Sequence, residues 1–83
     1  MRIRKNEIGI CNIIGQKVEA RRKELGMKQR DLLERLELHG ISLTPSGLSK
    51  MEGQLRKVSD VELLALSRVL EVSPLWLLGI ESV

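Results

Sequence analysis

The chain has 83 residues, which is enough for one small domain and too few for a deep catalytic cleft. Trp76 is its only aromatic residue, so we expect an aliphatic core, and the single cysteine, Cys11, excludes an internal disulfide framework. Fourteen basic and eleven acidic residues leave a net charge of +3, a mild excess that permits binding to nucleic acid without requiring it.

The N-terminal arm, residues 1–11, opens with basic side chains at Arg2, Arg4 and Lys5. No small-residue cleavage site closes the stretch that follows, and no run approaches the roughly 20 apolar residues that span a bilayer. These features indicate a soluble, cytoplasmic protein with no membrane partner. We expect the arm to be a frayed terminus, with contact to a nucleic-acid backbone or minor groove as the alternative.

Apolar residues at helical spacing predict two helices after the arm. The first spans residues 13–25 and ends at Gly26. The second spans residues 28–38, and its start is weakly specified because Lys28 stands where a Ser or Thr cap would be expected. The apolar positions of the two helices are Ile14, Val18, Leu25, Leu32, Leu33 and Leu36.

The third predicted helix spans residues 44–52 and has a marked start and stop. Thr44 can cap its first turn, the proline that follows suits the first helical position, and Gly53 can end it. Leu48 and Met51 lie three residues apart and share the inward face. The outward positions are Ser46, Ser49 and Lys50. Hydroxyls and an ammonium group on one face suit contact with a polar, negative surface, and duplex DNA is the first candidate.

Two more helices complete the chain. Ser59 and Glu62 form a capping box that opens a helix running to about Glu71. Ser73 and the proline after it open a last short helix that Gly79 ends. The residues expected to be buried in these helices are Leu63, Leu64, Leu66, Leu70 and Trp76. The pattern therefore predicts five short helices joined by tight turns.

Four short sequence motifs occur in a characteristic order, and the numbers of residues between them are characteristic as well. They are GMKQ at 26–29 with Leu32, LSKMEG at 48–53, VSDVELLAL at 58–66 and LEVSPLWLL at 70–78. This order resembles the phage-repressor-like helix-turn-helix family, the Cro/C1-type or Xre-type DNA-binding domains. The resemblance covers residues 12–79, with 80–83 as a C-terminal tail. It implies an all-α, five-helix lambda-repressor-like domain in which helices two and three form the DNA-binding unit.

This chain departs from the compact family pattern between Leu36 and Leu48, where it carries several additional residues. We therefore expect a lengthened turn between helices two and three. The crossing angle of these helices and the depth to which helix three enters a groove depend on that turn.

The resemblance implies contacts to DNA from helix two, helix three and the loop after it. Gln29 is expected to bind a phosphate, as are Arg56 and Lys57. The candidate DNA-binding residues are Gln29, Thr44, Pro45, Ser46, Gly47, Ser49, Lys50, Arg56 and Lys57. Simpler interpretations stay open for these residues. The polar and charged side chains could be merely solvated, and Pro45 could only start the helix. Gly47 either lets DNA approach closely or packs against the turn, and Lys50 contacts guanine or a phosphate.

Two further residues are assigned to structure by the resemblance. Arg22 and Glu52 match family positions that pair as a half-buried salt bridge between helices one and three. A guanidinium offers a fork of donors that a carboxylate can accept bidentately. We expect loss of either partner to lower stability first and affinity for DNA only as a consequence.

An enzyme is not expected. The chain has one histidine, His39, one cysteine without an activating neighbour, no metal-ligand spacing and no glycine-rich phosphate loop. We therefore expect no cofactor, no metal and no small-molecule ligand.

The leading hypothesis is a sequence-specific, double-stranded DNA-binding transcriptional regulator, in particular a repressor, that binds as a homodimer. Apolar excess points to a dimer surface made of Leu55, Val58 and residues 75–83. The chain is expected to be either a small stand-alone regulator or the DNA-binding part of a longer protein. The alternative is a helix-turn-helix used as a protein-interaction or antitoxin-like module, because the outer face of helix three carries little charge.

Overall fold

A computed structural model describes residues 10–81. Within this range the chain forms five helices and no strand: α1 (Gly15–Glu24), α2 (Gln29–Leu38), α3 (Pro45–Glu52), α4 (Asp60–Leu70) and α5 (Pro74–Leu77). The predicted all-α, five-helix fold is confirmed. The predictions for Arg2, Arg4, Lys5 and Val83 lie outside the described residues. None of the helices within 10–81 is long and apolar enough to cross a membrane.

Short polar side chains start three of the helices, as the sequence predicts. The Thr44 hydroxyl accepts from the Gly47 N–H at 2.9 Å. At the start of α4 the Ser59 hydroxyl accepts from the Glu62 N–H at 3.2 Å, and the Glu62 carboxylate accepts from the Ser59 N–H at 3.0 Å. Ser73 caps α5 in the same manner. Each of these caps satisfies backbone N–H groups that the first helical turn leaves free.

The turn between α2 and α3 occupies residues 39–44. Gly40 has a φ of +82°, which a glycine adopts without strain. The Ile41 N–H donates to the Leu36 carbonyl at 3.0 Å, so the chain turns sharply as it leaves α2. Ile41 and Leu43 then pack against the core. The lengthened turn is thus an ordered bridge whose apolar residues face inward.

The core is aliphatic, as the composition requires. Its buried members come from all five helices and from Ile14 and Met27 outside them: Ile14, Val18, Met27, Leu32, Leu36, Leu48, Met51, Ala65, Leu66, Val69, Leu70 and Leu77. The prediction that Leu64 is buried is wrong, because its side chain is 45% exposed. The inward face of α4 is centred on Ala65, Leu66 and Val69, and Leu64 lies about 200° around the helix from Leu66.

The N-terminus of α1 packs directly on the C-terminus of α3. A β-carbon at Gly15 would lie 2.9 Å from the Glu52 carbonyl oxygen and closer still to the carbonyl oxygen of Met51, so only glycine fits there. Asn12 reinforces the contact: its side-chain oxygen accepts from the Gly15 N–H at 2.8 Å, and its amide nitrogen donates to the carbonyls of Met51 and Arg56 at 3.1 and 2.8 Å. One asparagine therefore both caps α1 and holds the end of α3.

The residue in the left-handed region at the end of α3 is Gln54, with a φ of +63°, rather than the glycine before it. Gly53 keeps an ordinary φ of −86°. Two contacts hold Gln54 in place, because its carbonyl accepts from the Cys11 N–H at 2.8 Å and its amide donates to the Asn12 carbonyl at 3.0 Å. These long-range bonds offset the local cost of the left-handed conformation.

Candidate nucleic-acid interface

The outer face of α3 is open to solvent. Leu48 and Met51 are fully buried and hold the helix on the core. On the other side Ser46, Ser49 and Lys50 are exposed, and Lys50 makes no ion pair with any residue in the range 10–81. The helix thus presents two hydroxyls and a free ammonium group outward.

The residues at the start of α3 share the exposed surface but differ in what they can contribute. Thr44 and Pro45 are exposed, and the Thr44 hydroxyl is engaged as the helix cap. Gly47 is half-buried, and a β-carbon there would lie 3.2 Å from the Thr44 hydroxyl and 3.9 Å from a Leu43 methyl group. Packing against the cap and the turn is therefore enough to account for the glycine.

A buried ion pair fixes the end of α3 to α1. The Arg22 guanidinium donates to the two carboxylate oxygens of Glu52 at 2.7 and 3.1 Å, and both side chains are buried. The third donor of the fork reaches the Met27 carbonyl at 2.9 Å. The ion pair implied by the family resemblance is present, and its bidentate geometry sets the orientation of α3 on the bundle.

Gln29 is directed at α3 in the structure rather than at solvent. Its side-chain nitrogen donates to Glu52 at 3.0 Å, and its side-chain oxygen accepts from the Ser49 hydroxyl at 3.4 Å. The residue opens α2, whose first N–H groups have no partner within the helix. Because the amide nitrogen of Gln29 is engaged with Glu52, the free donors at this end of α2 are the backbone N–H groups, which suit an anion.

The two basic residues of the loop after α3 lie in different environments. Arg56 donates to the Glu62 carboxylate at 3.3 Å, and its side chain is 30% exposed. One of its terminal nitrogens is buried without a hydrogen-bond partner among residues 10–81. Lys57 is exposed and forms no ion pair within that range. Of the two, Lys57 is the one whose charge is freely available to a ligand.

Three polar residues that position these elements have a structural role that the sequence analysis did not assign. Asn12 clamps α1 to α3, as described above. Arg21 donates to the Leu70 carbonyl at 2.9 Å and so closes the end of α4. Lys17 donates to the Trp76 carbonyl at 3.1 Å and lies 5.2 Å from the centre of the indole ring. An asparagine just before a helix is a local cap signal, whereas nothing near Lys17 or Arg21 in the sequence indicates their distant partners.

Within the described range no group of three or more histidine, cysteine, aspartate or glutamate side chains could hold a metal ion. A surface depression of about 340 Å³ is lined mainly by apolar groups, including Ile13, Val58, Leu63 and Leu78. It lies away from the exposed face of α3, since no residue of that helix lines it.

A family model described as Helix-turn-helix (HTH_3) matches residues 18–77, most of the chain. The chain belongs to this Cro/C1-type, Xre-like helix-turn-helix family. No curated protein and no solved structure matches it significantly. The matched range of this helix-turn-helix domain begins within α1 and ends with α5. Family membership supports binding to double-stranded DNA by a regulator of a typically non-enzymatic class.

Proposed function

We propose that residues 12–79 form a sequence-specific, double-stranded DNA-binding regulator of transcription whose helix α3 enters the major groove. The observation that carries the proposal is an exposed polar face on a helix whose opposite face is locked in place. Leu48 and Met51 pack α3 against the core, and the ion pair of Glu52 with Arg22 fixes the end of α3 to α1. A rigid support of this kind keeps base-reading side chains in one geometry.

Each exposed group has a contact suited to its chemistry. Ser46 and Ser49 can exchange hydrogen bonds with several base edges, and Lys50 can reach the O6 and N7 atoms of guanine. Lys57 and the backbone N–H groups at the start of α2 suit phosphates beside the groove. Phosphate contacts would set the register of the domain, and the three side chains on α3 would supply specificity.

We further propose that the protein binds its operator as a homodimer and represses by occupying a promoter. A single helix-turn-helix covers only a few base pairs, whereas a two-fold dimer reaches half-sites about 34 Å apart. The apolar residues expected to form the dimer surface include Leu55, Leu75 and Ile80, which are 58%, 45% and 72% exposed. Val58 is half-buried and lines the neighbouring depression. Association of two copies through these side chains would remove their apolar surface from water.

The proposal is tested by titrating the protein onto random-sequence duplex at several salt concentrations, followed by selection of sites from a random library. We expect binding that weakens steeply with salt, since each neutralised phosphate releases about 0.9 counterion, together with enrichment of a two-fold symmetric site. Weak binding at every salt concentration and no enriched site would instead favour a protein-interaction module.

A further inference from the structure

A chain of hydrogen bonds leads from the buried ion pair to the outward face of α3. Glu52 accepts from Arg22 at 2.7 and 3.1 Å, and the amide nitrogen of Gln29 donates to the same carboxylate at 3.0 Å. The amide oxygen of Gln29 accepts from the Ser49 hydroxyl at 3.4 Å. This series of hydrogen bonds joins α1, α2 and α3 and ends at the exposed side chain of Ser49.

The buried carboxylate of Glu52 determines the donor and the acceptor in each of these hydrogen bonds. A carboxylate paired with a guanidinium only accepts hydrogen bonds, and an amide donates only through its nitrogen. The nitrogen of Gln29 must therefore face Glu52, which leaves its oxygen facing Ser49. A hydroxyl opposite an amide oxygen turns its proton toward that oxygen, because two acceptors without a proton between them repel each other. The lone pairs of Ser49 are then the part of the hydroxyl that faces outward.

We propose that Ser49 is a specificity-determining residue that reads a base as a hydrogen-bond acceptor, a role that rests on the proposed function. In the major groove the amino groups of adenine and cytosine are donors, whereas thymine O4 and guanine O6 and N7 are acceptors. Ser49 therefore selects an amino base, adenine or cytosine, over a keto base at one position of each half-site. A serine with a freely rotating hydroxyl would bind amino and keto bases alike. Gln29 therefore acts as the positioning residue, because it fixes the direction of the Ser49 proton.

The first experiment selects binding sites from a random duplex library with the wild-type protein and three variants. Ser49→Ala identifies the position read by Ser49 as the one whose preference disappears, and the wild-type preference there is expected to be adenine or cytosine. Gln29→Ala retains the hydroxyl but frees its proton, so keto bases should appear at that position while the other positions keep their preferences. Glu34→Ala, which changes an exposed residue of α2, is the matched control and should leave the whole site unchanged.

The second experiment removes the donor from the DNA, so it does not depend on the folding of the Gln29 variant. Where the selected base is adenine it is replaced by purine, which lacks the amino group, and where it is cytosine by 2-pyrimidinone. The wild-type protein should lose about fivefold in affinity, the effect of one hydrogen bond between neutral groups. Ser49→Ala should bind the two duplexes equally.

The outcomes separate this inference from the proposed function. A keto preference at the Ser49 position, no position altered by Ser49→Ala, or an equal loss for both proteins on the amino-deleted duplex overturns the inference. Salt-dependent binding to a selected site would still support the proposed function in those cases. If the wild-type protein binds no duplex with sequence preference, the proposed function fails and the inference fails with it.

Discussion

Arg22 on α1 and Glu52 at the end of α3 are thirty positions apart in the sequence, yet their side chains meet in a buried, bidentate ion pair at 2.7 and 3.1 Å. The same carboxylate also receives the amide of Gln29 from α2. Three helices therefore share one buried charge. The orientation of the exposed face of α3 depends on this contact, so loss of the ion pair is expected to lower both the stability of the domain and the proposed recognition of DNA.

Replacing Arg22 with alanine is expected to lower the free energy of unfolding by about 3–5 kcal/mol, because the carboxylate of Glu52 stays buried without its main partner. Urea denaturation followed by circular dichroism measures the change. Arg30→Ala, at an exposed arginine on α2, is the matched control and should shift stability by less than about 0.5 kcal/mol. A loss below about 1 kcal/mol for the Arg22 variant would contradict the assignment of the ion pair as a main tie between α1 and α3.

Gly15→Ala is expected to destabilise the domain by about 3 kcal/mol, because the added methyl group collides with the backbone carbonyls of Met51 and Glu52 and no side chain can move aside to accept it. Thermal and chemical denaturation measure the loss. Gly26→Ala is the comparison: it has a φ of +72° and open space around it, so it carries only a conformational cost of about 1–2 kcal/mol. Equal losses in the two variants would show that α1 does not press on α3 as closely as the structure indicates.

Lys50→Ala is expected to weaken binding to random duplex and to reduce the slope of log affinity against log salt by about one, because one cation near the DNA is removed. Fluorescence anisotropy over a range of salt concentrations measures both quantities. Lys23→Ala removes the same charge from the exposed side of α1, where Lys23 pairs with Glu19 at 3.3 Å. If both variants reduced the slope equally, the effect would come from net charge rather than from α3.

Ile80→Asp is expected to shift the protein from dimer toward monomer with little change in the stability of the monomer. Ile80 is 72% exposed, so the substitution removes no core contact but places a charge on the proposed dimer surface. Sedimentation equilibrium measures the shift. Leu38→Asp is the matched control, since Leu38 is 86% exposed and lies outside that surface. An unchanged dimer in the Ile80 variant, or a wild-type protein that is monomeric throughout, would exclude this surface.

The positions of the helices follow from short-range signals, which explains why they could be predicted. Thr44, Ser59 and Ser73 each cap a helix through backbone groups two or three residues away. The inward residues of α3 could be predicted for the same reason, because Leu48 and Met51 are the only apolar pair at helical spacing in that segment. Leu64 shows the limit of such reasoning: in a leucine-rich helix the composition alone does not select the buried face.

The sequence by itself determined the number of helices, their caps and the polar outer face of α3, since each depends on residues a few positions apart. Only the tertiary structure decided which polar groups remain free for a ligand. Gln29 is directed at Glu52 and Arg56 at Glu62, while Lys50 and Lys57 stay unpaired among residues 10–81. The physical reason is that a hydrogen bond or an ion pair depends on a separation of about 3 Å in space, and helix packing brings together partners that sequence spacing does not reveal.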